Sequence, residues 1–197
     1  MFLKKIKKKY VYIICIALLA ASLFKAFDLS QKQEPSSKAA IGGDFILTNQ
    51  LGETVSLDQI KGKHTVLFFG FTSCPMICPT SLNNISQAYE KLSEDQQEAL
   101  NVVFITVDPE RDTVEVMADY LESFSAPIIG LTGSEDDIAE VISGYRIYAQ
   151  KAPEGEYSYT MNHSTIVYIL DKKAEFLDHF AYNLSVEDIY NKLIEFL

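Results

Sequence analysis

Two cysteines four positions apart, Cys74 and Cys78, stand in the stretch Gly70-Phe71-Thr72-Ser73-Cys74-Pro75-Met76-Ile77-Cys78-Pro79-Thr80. Thiols this close act as nucleophiles or as metal ligands, and in both uses the reactive species is the thiolate. A disulfide between them closes a tiny loop and stabilises little, so chemistry explains the pair better than stapling does. The preceding run, Thr65-Val66-Leu67-Phe68-Phe69, is short and apolar and ends at Gly70, as a buried strand does. After Pro79, the residues Leu82, Ile85, Tyr89 and Leu92 recur at helical spacing and predict a helix over about 80–92. Proline suits a first helical turn because its missing N–H has no partner there. The thiols therefore lie at a strand-to-helix turn, where the positive end of the helix dipole favours thiolate over thiol.

The start of the chain differs from the rest. Lys4, Lys5, Lys7, Lys8 and Lys9 precede an uncharged run over 10–24, and Lys25 can snorkel so that the apolar span reaches Phe27. Residues 1–9 read as a basic cytoplasmic end and 10–27 as a transmembrane signal anchor, with cleavage at Ala20-Ala21-Ser22 as the alternative. Cys15, without the small preceding residue of a lipoprotein acceptor, reads as lipid-facing. Residues 28–40 are polar and aperiodic and read as a linker to a domain over 41–197. In both readings the domain is exported. One span then holds it at a bacterial inner membrane facing the periplasm or at a mitochondrial inner membrane facing the intermembrane space, and a short presequence without an Arg-rich transit segment favours the bacterial reading. From Asp28 onward 11 basic residues face 27 acidic ones, a formal charge of −16, which argues against a nucleic-acid partner.

Within the domain, Asp44–Thr48 and Glu53–Leu57 flank Gly52 as a small hairpin. Strands at 65–69 and 102–107 alternate with helices at 80–92 and around Val114, Met117, Leu121 and Phe124. A short strand at 127–131, a short helix carrying Ile138, Val141 and Ile142, and an extended segment at 145–149 follow. The runs 164–170 and 174–180 form a hairpin around Asp171-Lys172-Lys173. A last helix opens at a capping box, Ser185 with Asp188, and carries Ile189, Leu193 and Leu197 inward. This order predicts an α/β thioredoxin-like fold, a central mixed sheet flanked by helices, with an N-terminal hairpin extension and an N-terminal membrane helix.

Three segments in register carry a family resemblance: the turn Cys74-Pro75-Met76-Ile77-Cys78-Pro79, the loop Asp108-Pro109-Glu110-Arg111-Asp112-Thr113, and Asn162-His163-Ser164. Together they resemble the SCO (SenC/PrrC) family of copper-binding proteins, assembly factors for the dinuclear copper centre of cytochrome c oxidase. The resemblance implies a thioredoxin fold and one copper, Cu(I) or Cu(II), held by Cys74, Cys78 and His163. It also implies an upstream copper donor and delivery of copper or reducing equivalents to the copper-bearing oxidase subunit. Soft thiolates select Cu(I) and imidazole suits either valence, so this donor set fits copper, while three ligands leave a position open for handover.

The other candidates weigh less. His64 precedes the 65–69 strand at its far end from Cys74, and nothing ties His179 to the thiols. Met76 reads as an apolar filler of the dithiol loop, and Met161 as an apolar neighbour of His163. Asp108, after the 102–107 strand, is on the same sheet edge as Cys74 and is a candidate to support a metal ligand from behind or to touch a partner, while Arg111 is expected to pair with Asp112. The alternative function is thiol-disulfide oxidoreduction on cysteines of the oxidase subunit, Cys74 attacking and Cys78 resolving. Against it as the sole activity, three residues rather than two separate the cysteines. No phosphate-binding Gly-rich loop or paired-His helix is present.

Overall fold

The computed structural model of the chain describes residues 41–154 and 158–197, and the expected membrane helix (10–27) and linker (28–40) lie outside them. Among the described residues no helix is long and apolar enough to cross a membrane. In chain order the elements are strands β1 (Ile46–Asn49) and β2 (Thr54–Ser56), helix α1 (Leu57–Ile60), β3 (His64–Gly70), α2 (Ile77–Glu90), α3 (Glu94–Glu98) and β4 (Leu100–Thr106). There follow α4 (Val114–Leu121), β5 (Ile128–Thr132), α5 (Glu135–Gly144), β6 (Ala149–Pro153), β7 (Tyr159–His163), β8 (Ile166–Leu170), β9 (Phe176–Ala181) and α6 (Val186–Ile194).

Seven strands form one sheet in the order β2-β1-β5-β4-β3-β8-β9. The apolar run ahead of the thiols becomes β3, paired parallel with β4 from His64↔Leu100 to Gly70↔Thr106 and antiparallel with β8. Successive strand residues face opposite sides. Burial of every residue from Thr65 to Gly70 therefore means that both faces of the sheet are covered, which is why this strand reads as a continuous apolar run rather than an alternating one. Helix α2 packs against α6, and α4 lies on β5. Gly130 makes that second contact possible, since a Cβ there would sit 2.3 Å from Leu121 Cδ1. The central sheet with its flanking helices is the thioredoxin-like plan, and β1–β2 is the hairpin extension on one sheet edge.

The structure differs from the sequence reading in several parts, among them the short helices α1 and α3, where that reading has no helix. Helix α2 begins at Ile77, a turn ahead of the expected 80, so Cys78 belongs to its first turn rather than to the loop. Of the extended segment expected at 145–149, only Ala149 is strand, and 145–148 are not. Fully buried Tyr145 caps α5, Arg146 takes φ 55°, and Ile147 N–H donates to Ile142 O at 2.9 Å, so the apolar alternation belongs to a helix end. The strand starts only at Ala149 and pairs with β7 in a separate two-stranded ribbon, Ala149↔His163 through Pro153↔Tyr159. Strand β7 gives no sequence signal because the ribbon lies outside the main sheet and none of its residues is fully buried.

Phe69 is fully buried, with its ring centroid 5.3 Å from that of Tyr145 and 6.4 Å from that of Tyr168. Phe69→Ala is expected to lower stability by about 3–5 kcal/mol in urea denaturation, and a loss below about 1 kcal/mol would contradict this packing.

Candidate metal centre

The dithiol turn is built by what a helix start lacks. Its first N–H groups have no intrahelical acceptor. Met76, at the N-cap with φ −148° and ψ −50°, offers no side-chain acceptor either. The Cys74 sulfur fills that role and accepts the Cys78 N–H at 3.4 Å. Cys78 itself is fully buried, whereas Cys74 is half-buried, and no disulfide joins them. Glycine at 70 is needed for this placement, because a Cβ there would lie 2.7 Å from both Cys78 Sγ and the Phe104 ring.

His163 arrives from the other side, at the end of β7. Its Nε2 is 3.7 Å from Cys78 Sγ, and its Nδ1 is 2.8 Å from the carbonyl oxygen of Ser164. A carbonyl only accepts, so Nδ1 carries the proton and Nε2 faces the sulfurs. There Nε2 presents a lone pair to a metal ion or, when protonated, a proton to a thiolate. Phe71 meets the imidazole edge-on, at 5.7 Å between centroids and 84° between planes.

The two thiols are strongly unequal. Hydrogen bonding from Cys78 to the Cys74 sulfur, helped by His163 and by the Cys78 and Met76 backbone, outweighs burial and holds Cys74 far below the ordinary thiol range. The same pairing, with burial added, pushes the Cys78 thiol up. The first proton is thus lost at the half-buried sulfur, the one a reagent or an ion reaches first.

Among the described residues no three His, Cys, Asp or Glu side chains already meet the geometry of a formed metal cluster. The donor chemistry nonetheless fits a soft ion. The 3.7 Å gap between Cys78 Sγ and His163 Nε2 is one that a single ion can bridge with bonds of about 2.3 Å to sulfur and about 2.0 Å to nitrogen. The Cys74 sulfur stands beside Cys78, so the trio is gathered but not closed.

The remaining candidates fall elsewhere. His64 opens β3 at the opposite end from Gly70, and His179 lies on β9 beside Asp178 and Phe176. Met76 is 68% exposed, so it fills no gap in the loop. Met161 packs against the core and lines a cleft with Ile138, Ile142 and Ala149. Arg111 does not pair with Asp112; its Nε donates to Asp108 Oδ2 at 2.5 Å. The Asp108 carboxylate receives that bond and one from the Tyr159 hydroxyl at 2.8 Å, contacts that run to the His163 strand rather than to the thiols.

Asp112 is already engaged, and sequence reasoning missed its role. Its Oδ1 accepts from the Thr72 hydroxyl at 2.6 Å, and its Oδ2 accepts from the Thr72 N–H at 3.1 Å and the Thr106 hydroxyl at 2.6 Å. The carboxylate is fully buried, and burial pushes its pKa up. It fixes the dithiol loop two residues before Cys74. Thr72 and Asp112 are 40 positions apart, and neither stands out by type, so no local signal links them.

Fold and site together define a thioredoxin-like protein with a reduced dithiol at a helix start and an imidazole in contact with it. The chain belongs to the SCO1/SenC family, whose model matches residues 33–197. It is 34% identical to the SCO2-like protein RP587 of Rickettsia prowazekii over 191 residues, which are 92% of this chain and 93% of that protein. It is 38% identical to the mitochondrial SCO1 homolog 1 of Arabidopsis thaliana over 85% of its own length but only 50% of the relative's, so it spans half of that protein. Copper-bound ScoI of Bradyrhizobium japonicum superposes with a TM-score of 0.75 at 42% identity, covering 80% of this chain and 100% of that one. BsSco, described as a Sco-family cytochrome c oxidase assembly protein with a disulfide switch, shares the fold at 23% identity and a TM-score of 0.63, over 83% of this chain and 96% of its own.

With Cys74 ionised throughout, its alkylation by iodoacetamide is expected to stay nearly constant from about pH 5 to pH 8, while Cys78 remains unmodified. Peptide mass spectrometry reads both sites. A Cys74 rate that climbs about tenfold per pH unit across that range would contradict the assignment.

Proposed function

We propose that this chain is a copper metallochaperone for assembly of the dinuclear copper centre of cytochrome c oxidase. It takes one copper ion from an upstream donor on Cys74, Cys78 and His163 and passes it to the copper-bearing oxidase subunit. Domain 41–197 works in the periplasm, tethered by 28–40 to a span over 10–27 whose basic end, 1–9, stays in the cytoplasm. The observation that carries this reading is the approach of His163 Nε2 to 3.7 Å from Cys78 Sγ, with Nδ1 tied to Ser164 O so that Nε2 is the free donor. Membership of the SCO1/SenC family and the copper in related solved structures support it.

The chain's own residues set the terms of transfer. Half-buried Cys74 is the accessible sulfur and already ionised, so it makes the first contact with the cargo. Cys78 gives up its proton as the ion arrives, since a metal ligand must be the thiolate. His163 Nε2 completes a set of three, which leaves room for an acceptor thiolate to enter before a donor leaves. Oxidation of the dithiol to a disulfide removes both sulfur ligands together, so binding is coupled to redox state. The ionised Cys74 with protonated Cys78 behind it also supports a second reading, disulfide reduction on the oxidase subunit.

The full chain, reduced and in detergent, is titrated with Cu(I) and Cu(II) against competing chelators, alongside His163→Ala. One equivalent is expected to bind, and the substitution is expected to weaken binding tenfold or more, about 1.4 kcal/mol. Equal affinities, with disulfide-reductase turnover in both proteins, would favour the oxidoreductase reading instead.

A further inference from the structure

The loop between β4 and α4 holds the two halves of the site from one short segment. Asp112, at its C-terminal end, binds Thr72 of the dithiol loop. Asp108, at its N-terminal end, has a side chain with no exposed surface and accepts from Arg111 and from the Tyr159 hydroxyl. Arg111 does more than neutralise that carboxylate. Its Nη1 donates to the backbone carbonyl of Tyr159 at 2.8 Å, and its guanidinium lies 3.9 Å from the Tyr159 ring centroid. A further neighbour of the guanidinium is Phe71, at 5.8 Å, the same ring that meets His163 edge-on.

Tyr159 is the first residue of β7 and His163 the last, about 13 Å apart along an extended strand. The ribbon that carries His163 is not paired to the seven-stranded sheet; its His163 end is held by the short run into β8, whereas its Tyr159 end is held to the β4–α4 loop by side-chain contacts of this kind. We propose that Arg111 is a positioning residue for His163: it clamps the start of β7 to the β4–α4 loop and backs the Phe71 ring against which the imidazole rests. The planar fork is what the site uses, one edge on Asp108 and the other on the Tyr159 carbonyl. Lysine keeps the charge that buried Asp108 needs but cannot reproduce that planar geometry.

This inference rests on the copper reading for its metal test and stands apart from it for its metal-free test. Arg111→Lys in the full chain keeps the ion pair and gives up the Tyr159 carbonyl, so the protein is expected to fold and its Cys74 alkylation rate to match wild type. Hydrogen exchange on the metal-free protein is expected to quicken tenfold or more at the β6–β7 amides and not at those of β3. Copper affinity is expected to fall fivefold or more in Arg111→Lys and to show no further fall when Arg111→Lys is added to His163→Ala, because the lysine acts only through the imidazole. Wild-type exchange at β6–β7, or an Arg111→Lys effect that persists in the His163→Ala background, would overturn the proposal. Should His163→Ala alone leave copper affinity unchanged, the copper reading fails, and the exchange result decides the clamp by itself.

Discussion

A sulfur with no exposed surface has to meet an imidazole carried on a ribbon outside the main sheet, and every feature near Cys78 follows from that contact. The sulfur comes from the first turn of α2, which is anchored to the sheet by the parallel β3–β4 pair and by packing against α6. The imidazole comes from β7, 85 positions later in the chain. Among the described residues no backbone hydrogen bond joins the two elements, and the Cys78–His163 side-chain contact is what links them, so their meeting is a product of tertiary packing rather than of any local propensity.

Two requirements are visible at that contact. Backbone and ring must leave space for the sulfur, which Gly70 does beside Phe104, since a Cβ there would come within 2.7 Å of the sulfur. Charge must be controlled as well. The Cys78 thiol, the nearby imidazole and the N-terminal N–H groups of α2 stabilise a thiolate on Cys74, while the hydrogen bond that Cys78 gives Cys74, with burial, keeps Cys78 protonated until a ligand draws the proton away. An ionised outer sulfur and a protonated inner one suit stepwise capture of a soft cation and equally suit attack on a disulfide. His163 favours the first use, because Ser164 fixes its tautomer with Nε2 toward the sulfurs.

Much of this was legible in the sequence, and for stated reasons. The apolar run of β3 and the helical periodicity after Pro79 placed Cys74 and Cys78 at a strand-to-helix turn, and Ser185 with Asp188 marked the start of α6, where the Ser185 hydroxyl accepts the Asp188 N–H at 3.1 Å. The start of α2 was read a turn late because Ile77 and Cys78 precede the apolar repeat. Strand β7 was illegible because it buries no face completely, so the element presenting His163 had no pattern to betray it. The pairing of Arg111 was misread for a related reason. Its neighbour in sequence, Asp112, is drawn under the dithiol loop by Thr72 and Thr106, and the partner three residues back, Asp108, is buried and waiting for a cation.

Copper capture of this kind requires that imidazole nitrogen and thiolate sulfur bind the same ion. X-ray absorption at the copper edge, on the full chain loaded with one equivalent of Cu(I), reads this directly. The expected spectrum fits two sulfur scatterers and one imidazole nitrogen on one copper, with the imidazole contribution lost in His163→Ala. A wild-type spectrum that fits sulfur alone and is unchanged by that substitution would contradict it.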